Sequence, residues 1–119
     1  MDTRSKVLSL DAALRLSRPA ALATGYFEVL RVEDARELEQ AGRPLLAVVL
    51  RHTEELAAAA ARAEMVAAIR VVDYVVIADH DDLNELIARL QPVRVVRLEA
   101  AHAGRIRRLI DDVQRKQTR

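Results

Sequence analysis

Two uninterrupted apolar runs, Leu45-Leu46-Ala47-Val48-Val49-Leu50 and Tyr74-Val75-Val76-Ile77-Ala78, limit what this chain can fold into. Neither alternates between apolar and polar residues. A strand reads this way when helices cover both faces of a parallel sheet. Two further runs, Ala20–Thr24 and Val93–Leu98, have the length of strands. The last is broken by Arg94 and Arg97, as suits a strand near a sheet edge.

Stretches with helical periodicity separate the runs. Ser9 is placed to cap a helix reaching about Leu16, with Leu10, Ala13, Leu14 and Ser17 on one stripe. Residues 33–41 form a second helix that stops at Gly42, ahead of Pro44. Residues 54–70 read as a long alanine-rich helix, whose small side chains allow close approach to a sheet. Asp82-x-x-Glu85 has the form of a capping box, followed by Leu83, Leu86, Ile87 and Leu90 at helical spacing, and Pro92 ends that helix. Ile106, Leu109, Ile110 and Val113 mark one face of a C-terminal helix. Strict alternation of this kind predicts a parallel α/β sheet with right-handed crossovers and helices on both faces. Ligands in such sheets bind beyond the carboxyl ends of the strands, where the strand order reverses. The stretch Gly25-Tyr26-Phe27-Glu28-Val29-Leu30-Arg31-Val32-Glu33-Asp34 follows the first run and falls at that lip.

Composition narrows the chemistry. The chain has 119 residues, 51% of them hydrophobic but only 3% aromatic, so its core must be built from Ala, Val, Leu and Ile. The net charge of +1 gives no sign of a polyanionic partner. There is no cysteine, which excludes disulfides, thiolate nucleophiles and Cys-ligated metals. The N-terminus lacks the features of a secretory peptide, and no apolar segment approaches the ~20 residues of a membrane span. A cytoplasmic domain without membrane contact is the expectation. The basic residues of the last helix, Arg105, Arg107, Arg108, Arg115, Lys116 and Arg119, have Asp111 and Asp112 as intrahelical partners and no aromatics to stack bases, which argues against nucleic acid. His52, His80 and His102 each follow an expected strand, but the third strand end lies too far from the other two for a shared metal. The run Asp79–Asp82 with His52 is read as a solvated turn and helix cap, and no metal site is expected.

Three segments resemble the cytidylyltransferase-like nucleotidyltransferases, closest to the adenylyltransferase domain of bifunctional heptose-phosphate enzymes. Residues 25–34 stand where that family has G-x-F-D-x-x-H-x-G-H. Residues 62–77 are similar to its helix followed by V-D-Y-V-V, and residues 85–92 to its E-L-I-x-x-L-x-P helix. The resemblance spans roughly residues 20–97 and implies one nucleotidyltransferase-like domain over residues 1–119. It also implies a Rossmann-like three-layer sandwich with a parallel sheet of four or five strands, in family order 3-2-1-4-5. By position it assigns nucleotide contacts to Thr24, Gly25, Tyr26, Phe27, Arg31 and Arg97, with ATP or CTP and Mg²⁺ as the cofactor of any residual chemistry.

The motif is degenerate. Arg31 and Asp34 replace the two histidines that stabilise charge on the phosphates, and Glu33 replaces the glycine between them. The Lys- and Gly-bearing loop after the second strand is replaced by residues 51–55. Arg97-Leu98-Glu99-Ala100 stands where the family has Lys-Gly-Gly-Asp, and His102-Ala103-Gly104 precedes the final helix in place of a Ser/Thr-rich motif. The family's last strand is read as deleted. Three functions remain open: a transferase-inactive binding or assembly module, a homodimer or one bound to a protein partner; an active adenylyl- or cytidylyltransferase acting on a sugar or polyol phosphate; and a nucleotide-binding sensor without turnover.

Overall fold

The computed structural model describes the chain except Met1, Asp2, Arg18, Ala20, Thr53, Glu54, Leu56, Thr118, Arg119 and the side chain of Gln117. The start of the first apolar run, much of residues 53–56 and the terminal arginine therefore lie outside the described residues. Five parallel strands form one sheet: β1 (Val7–Leu8), β2 (Ala21–Gly25), β3 (Leu45–Leu50), β4 (Tyr74–Ala78) and β5 (Arg94–Arg97), in the order β1-β4-β3-β2-β5. Helices α1 (Leu10–Leu14), α2 (Val32–Ala41), α3 (Ala59–Ala67), α4 (His80–Leu90) and α5 (Glu99–Gln117) alternate with them. The expected Rossmann-like parallel sandwich is the fold.

Every residue of β3 is buried, which explains why its sequence shows no alternation. Leu45, Ala47 and Val49 pack in one core with Leu38 of α2 and Ala63, Val66 and Ala67 of α3. Leu46, Val48 and Leu50 pack in the other with Ala13 of α1 and Leu83, Leu86 and Leu90 of α4. On the α2/α3 side β2 presents only Ala21 and Ala23, so the alanine-rich α3 and its neighbour can sit close.

The strand order β4-β3-β2-β5 is the family's 3-2-1-4, and it differs in detail at the edges. The fifth strand is not at the β5 side. It is β1, added outside β4, where Val7 pairs with Val75 and Leu8 with Val76. A strand of two residues leaves no periodicity to read, so sequence reasoning missed it. β5 is an edge strand with Arg94 and Arg97 exposed, as its broken pattern predicts.

Four boundaries need correction. α3 opens at Ala59 rather than near residue 54, because the Ala57 backbone is already engaged: its N–H donates to Glu28 and its carbonyl accepts from Arg62. α3 also ends at Ala67, short of Arg70. The capping box of α4 is Asp79-x-x-Asp82, three residues before the expected one, with Asp79 Oδ1 accepting from the Asp82 N–H at 2.9 Å. α5 opens at Glu99, so Gly104 lies inside a helix and not before one. By contrast Ser9 caps α1 and Gly42 ends α2 with φ of 109°, as expected.

A Cβ on Gly104 would meet nothing within 4 Å. Gly104→Ala should therefore stabilise the fold by about 0.5–1 kcal/mol, by removing unfolded-state freedom from a helix interior. Denaturant unfolding of the two proteins measures it.

Candidate functional site

The chain moves outward from β2 through β3 to β4, then returns to the other side of β2 as β5. The order reverses between β2 and β5, and that is where a ligand crevice belongs. The first two turns of α5 lie across it. Thr24 Oγ1 donates to Glu99 Oε1 at 2.5 Å, and the Leu98 N–H donates to the Thr24 carbonyl at 2.8 Å. Three residues into α5, the His102 ring sits on the loop that leaves β2.

His102 Nδ1 accepts from two consecutive backbone amides, Tyr26 at 3.0 Å and Phe27 at 3.1 Å. Phe27 has φ of 54°, left-handed backbone that a bulky residue rarely adopts and that costs of order 1–3 kcal/mol. The two N–H groups point at one atom, as in the backbone nests that hold anions. Here the nest holds an imidazole nitrogen. The Phe27 ring meets the His102 ring edge-on, with centroids 4.8 Å apart. A Cβ at Gly25 would come within 2.5 Å of His102 Cε1 and Nδ1. Glycine at this position is what lets the ring approach.

The far side of the ring is also held. His102 Nε2 lies 3.3 Å from Asp34 Oδ1, and both residues are only 2% exposed. Because Nδ1 accepts twice, the proton belongs on Nε2, which donates to Asp34. Asp34 Oδ2 accepts from Arg105 at 2.5 Å and from the Arg31 N–H at 3.0 Å. The second bond is half of a capping box, with the third helical residue reaching back to the residue before α2. Arg105 also donates to the Val29 carbonyl at 3.2 Å. Burial alone would raise the Asp34 carboxyl. The bonds from Arg105 and Arg31 and the charges of His102 and Arg105 outweigh it and hold the group below 3.8. Burial pushes His102 below 6.5 against the opposing pull of Asp34 and Glu99, and the Arg105 charge adds to the lowering.

A second polar cluster ties β2 to β3 at the same edge. Arg62, on α3, is fully buried. Its Nη1 donates to the carbonyls of Tyr26 (2.9 Å) and Leu50 (2.8 Å), its Nε to that of Ala57, and its Nη2 to Glu55 at 2.6 Å. The buried Glu28 carboxylate lies 3.3 Å from Nε. His52 Nε2 is 3.5 Å from the same carboxylate and makes no hydrogen bond, while its ring lies tilted against Tyr26 at 4.3 Å.

The motif positions thus separate. Thr24, Gly25, Tyr26 and Phe27 come together around α5. Arg31 contributes only its backbone to that group, and its side chain is exposed. Arg97 is exposed, 3.9 Å from Glu99. Asp34 does not face the mouth as a free carboxylate; it is turned inward onto a cation, and Glu33 alone of the pair is exposed. Val32 is 65% exposed. The V-D-Y-V-V segment enters β4 from the opposite edge, where Asp73 binds Arg43 and the Leu45 N–H. Sequence reasoning missed the roles of His102, Arg105 and Arg62. The only signal for His102 and Arg105 was their spacing after β5, which puts both on one helix face. Among the described residues no group of three or more His, Cys, Asp or Glu is placed to hold a metal, and no helix is long and apolar enough to cross a membrane.

Fold and site together define a Rossmann-like parallel α/β domain with its switch-point crevice filled from within. No family model matches the chain, and no curated protein matches it. Among solved structures the chain is similar to a lipopolysaccharide core biosynthesis protein from Thermoplasma volcanium GSS1. The two share 20% sequence identity with a TM-score of 0.57, over 63% of this chain and 70% of that one. At that identity the likeness is one of fold.

Two tests follow from the clusters. His102 has a folded pKa below its unfolded value, so its contribution to stability is whole above about 6.5 and is lost as pH falls through the folded pKa. Asp34 behaves likewise in a lower window, keeping its contribution above 3.8 and losing it as pH falls through its own lowered pKa. His102→Asn can accept from the amides but cannot titrate. Its unfolding free energy should be lower at neutral pH and should fall less between about pH 6.5 and 5 than that of the parent. Separately, Arg62→Ala takes this cation from Glu28 and from the carbonyls of Tyr26, Leu50 and Ala57, and should cost about 3–5 kcal/mol in denaturant unfolding.

Proposed function

We propose that this chain is a nucleotidyltransferase-fold domain that carries out no nucleotidyl transfer and serves as a binding or assembly module. The motif resemblance in residues 25–34, 62–77 and 85–92 supports the family reading. The fold shared with a protein of lipopolysaccharide core biosynthesis agrees with it. One observation carries the loss of chemistry: His102 Nδ1 occupies the two amides that a phosphate would need, and Gly25 and Asp34 hold the ring there. A phosphate entering the crevice would have to break three hydrogen bonds to His102 and then compete with Asp34 for Arg105. In the nucleotidyltransferases the imidazoles point at the phosphates. Here the imidazole stands in the phosphate's place.

A second reading keeps some support. The amides of Tyr26 and Phe27 point at one atom, so a phosphate-bearing ligand that displaced His102 would find two convergent donors. That is a nucleotide sensor without turnover.

Titration with ATP or CTP and Mg²⁺, followed by thermal unfolding and by pyrophosphate release in the presence of sugar or polyol phosphates, separates the readings. The module reading expects neither a shift in Tm nor product. A ligand at a hundred times its Kd would add about 2.7 kcal/mol, a shift that could not be overlooked. A saturable shift without product would establish the sensor. Released pyrophosphate would overturn both.

A further inference from the structure

The assembly reading leaves its surface unnamed, and the inference below rests on that reading. We propose that the second half of α5 docks into the groove beside the start of α2 on a second copy of this chain, and that the exchange is reciprocal, giving a closed two-fold dimer.

α5 is anchored to its own body as far as Arg105, which holds Val29 and Asp34, and Ile106, which is 2% exposed. From Arg107 to Lys116 every residue is exposed except the half-buried Ile110. The molecule is accordingly long, 54 × 28 × 25 Å. The apolar stripe does not stop where the body does. Leu109, Ile110 and Val113 continue the face of Ile106, with Leu109 44% and Val113 48% exposed. The part beyond Ile106 is shorter than the ~12–15 residues that sustain an isolated helix in water, and Ile110 and Val113 are weak helix formers. A helical extension of this kind is held by what packs on its apolar face.

The matching surface lies at the root of the same helix. Leu30, Arg31, Val32, Glu33, Ala35 and Ile69 line an open groove of about 590 Å³. Arg105 binds the carbonyl of Val29, just before Leu30, and the carboxylate of Asp34, just after Glu33, so α5 leaves the body at the groove's rim. A straight helix cannot turn back into a groove beside its own root. The corresponding helix of a two-fold-related copy can enter it in the antiparallel sense and present Leu109 and Val113 to Leu30, Val32 and Ile69.

Charge also favours a second copy. Helical spacing puts Asp112, which also accepts from Arg115, and Lys116 along one flank of the stripe. The groove rim carries Arg31 and Glu33. Each surface offers one acid and one base to the other. The open edge of β5 is the poorer route, because antiparallel pairing about a two-fold would set Arg94 opposite Arg97 of the second copy.

Sedimentation of the full chain across a concentration series tests this. The parent should show a monomer–dimer equilibrium. Leu109→Asp with Val113→Asp removes the arm's apolar face, and Val32→Asp spoils the groove. Each should weaken the dimer at least tenfold while leaving Tm, compared at dilutions where the parent is monomeric, close to the parent's, since the altered side chains are exposed. A mixture of the arm variant and the groove variant retains one intact arm and one intact groove in the heterodimer. It should associate more strongly than either variant alone. A parent that is monomeric throughout overturns the proposal. So does a dimer insensitive to these substitutions, although that result leaves the assembly reading standing on another surface. Variants that both dissociate but do not complement would overturn the exchange of arm into groove. Nucleotide titration of the same proteins reports on the closed crevice independently of all three results.

Discussion

Two backbone amides, those of Tyr26 and Phe27, are buried at the one point in the sheet where a ligand would be received, and His102 Nδ1 satisfies both. Unmet, each would cost about 1–3 kcal/mol. Much of the surrounding sequence follows from meeting them. Gly25 has no side chain because the ring lies against it. Phe27, in left-handed backbone, sets its own ring edge-on to the imidazole. Asp34 fixes the ring's outer nitrogen and, through it, the tautomer that leaves Nδ1 free to accept. Arg105 neutralises Asp34 so that a carboxylate can be buried at the start of α2. α5 must begin at Glu99, directly after β5, for one turn of helix to carry His102 to this position.

The Arg62 cluster answers the same problem on the other side of β2. Strands that end in a crevice leave carbonyls with no partner in the sheet, and those of Tyr26 and Leu50 are taken up by one guanidinium. The guanidinium's charge is met by Glu28 and Glu55. Glu28 and Asp34, two acidic residues of the opening motif, have therefore come to the same end by different routes. Each is turned inward onto an arginine from a helix distant in sequence. Polar groups of α3 and α5 fill the cleft in the places a ligand's polar groups would take.

Some of this was legible in the residues, and the reasons are local. The absence of alternation in Leu45–Leu50 reports burial on both faces, because side chains point to alternate faces along a strand. The arginines of β5 report an edge. Ser9, Gly42 and the Leu83–Leu90 stripe report helix limits and faces. The errors were also local in origin. β1 is too short to carry a pattern. The start of α3 is decided by the Ala57 bonds to Glu28 and Arg62, partners 29 and 5 residues away. Two acidic residues at 33 and 34 look alike in sequence, yet one is exposed and the other buried against a cation 71 residues later.

The sequence by itself determined the layers, the parallel sheet and the place of the crevice, since these depend on periodicity and on the few ways alternating strands and helices can pack. It also determined that the histidines of the resembled motif are replaced at 31 and 34. Only the tertiary structure decided what became of the site, because hydrogen bonds between residues some 70 apart leave no trace in spacing. An imidazole absent from the motif is supplied from α5 and placed on the amides of Tyr26 and Phe27. The chemistry of a side chain is written in the chain, but whether it faces a ligand or closes the space for one depends on which distant helix crosses that edge of the sheet.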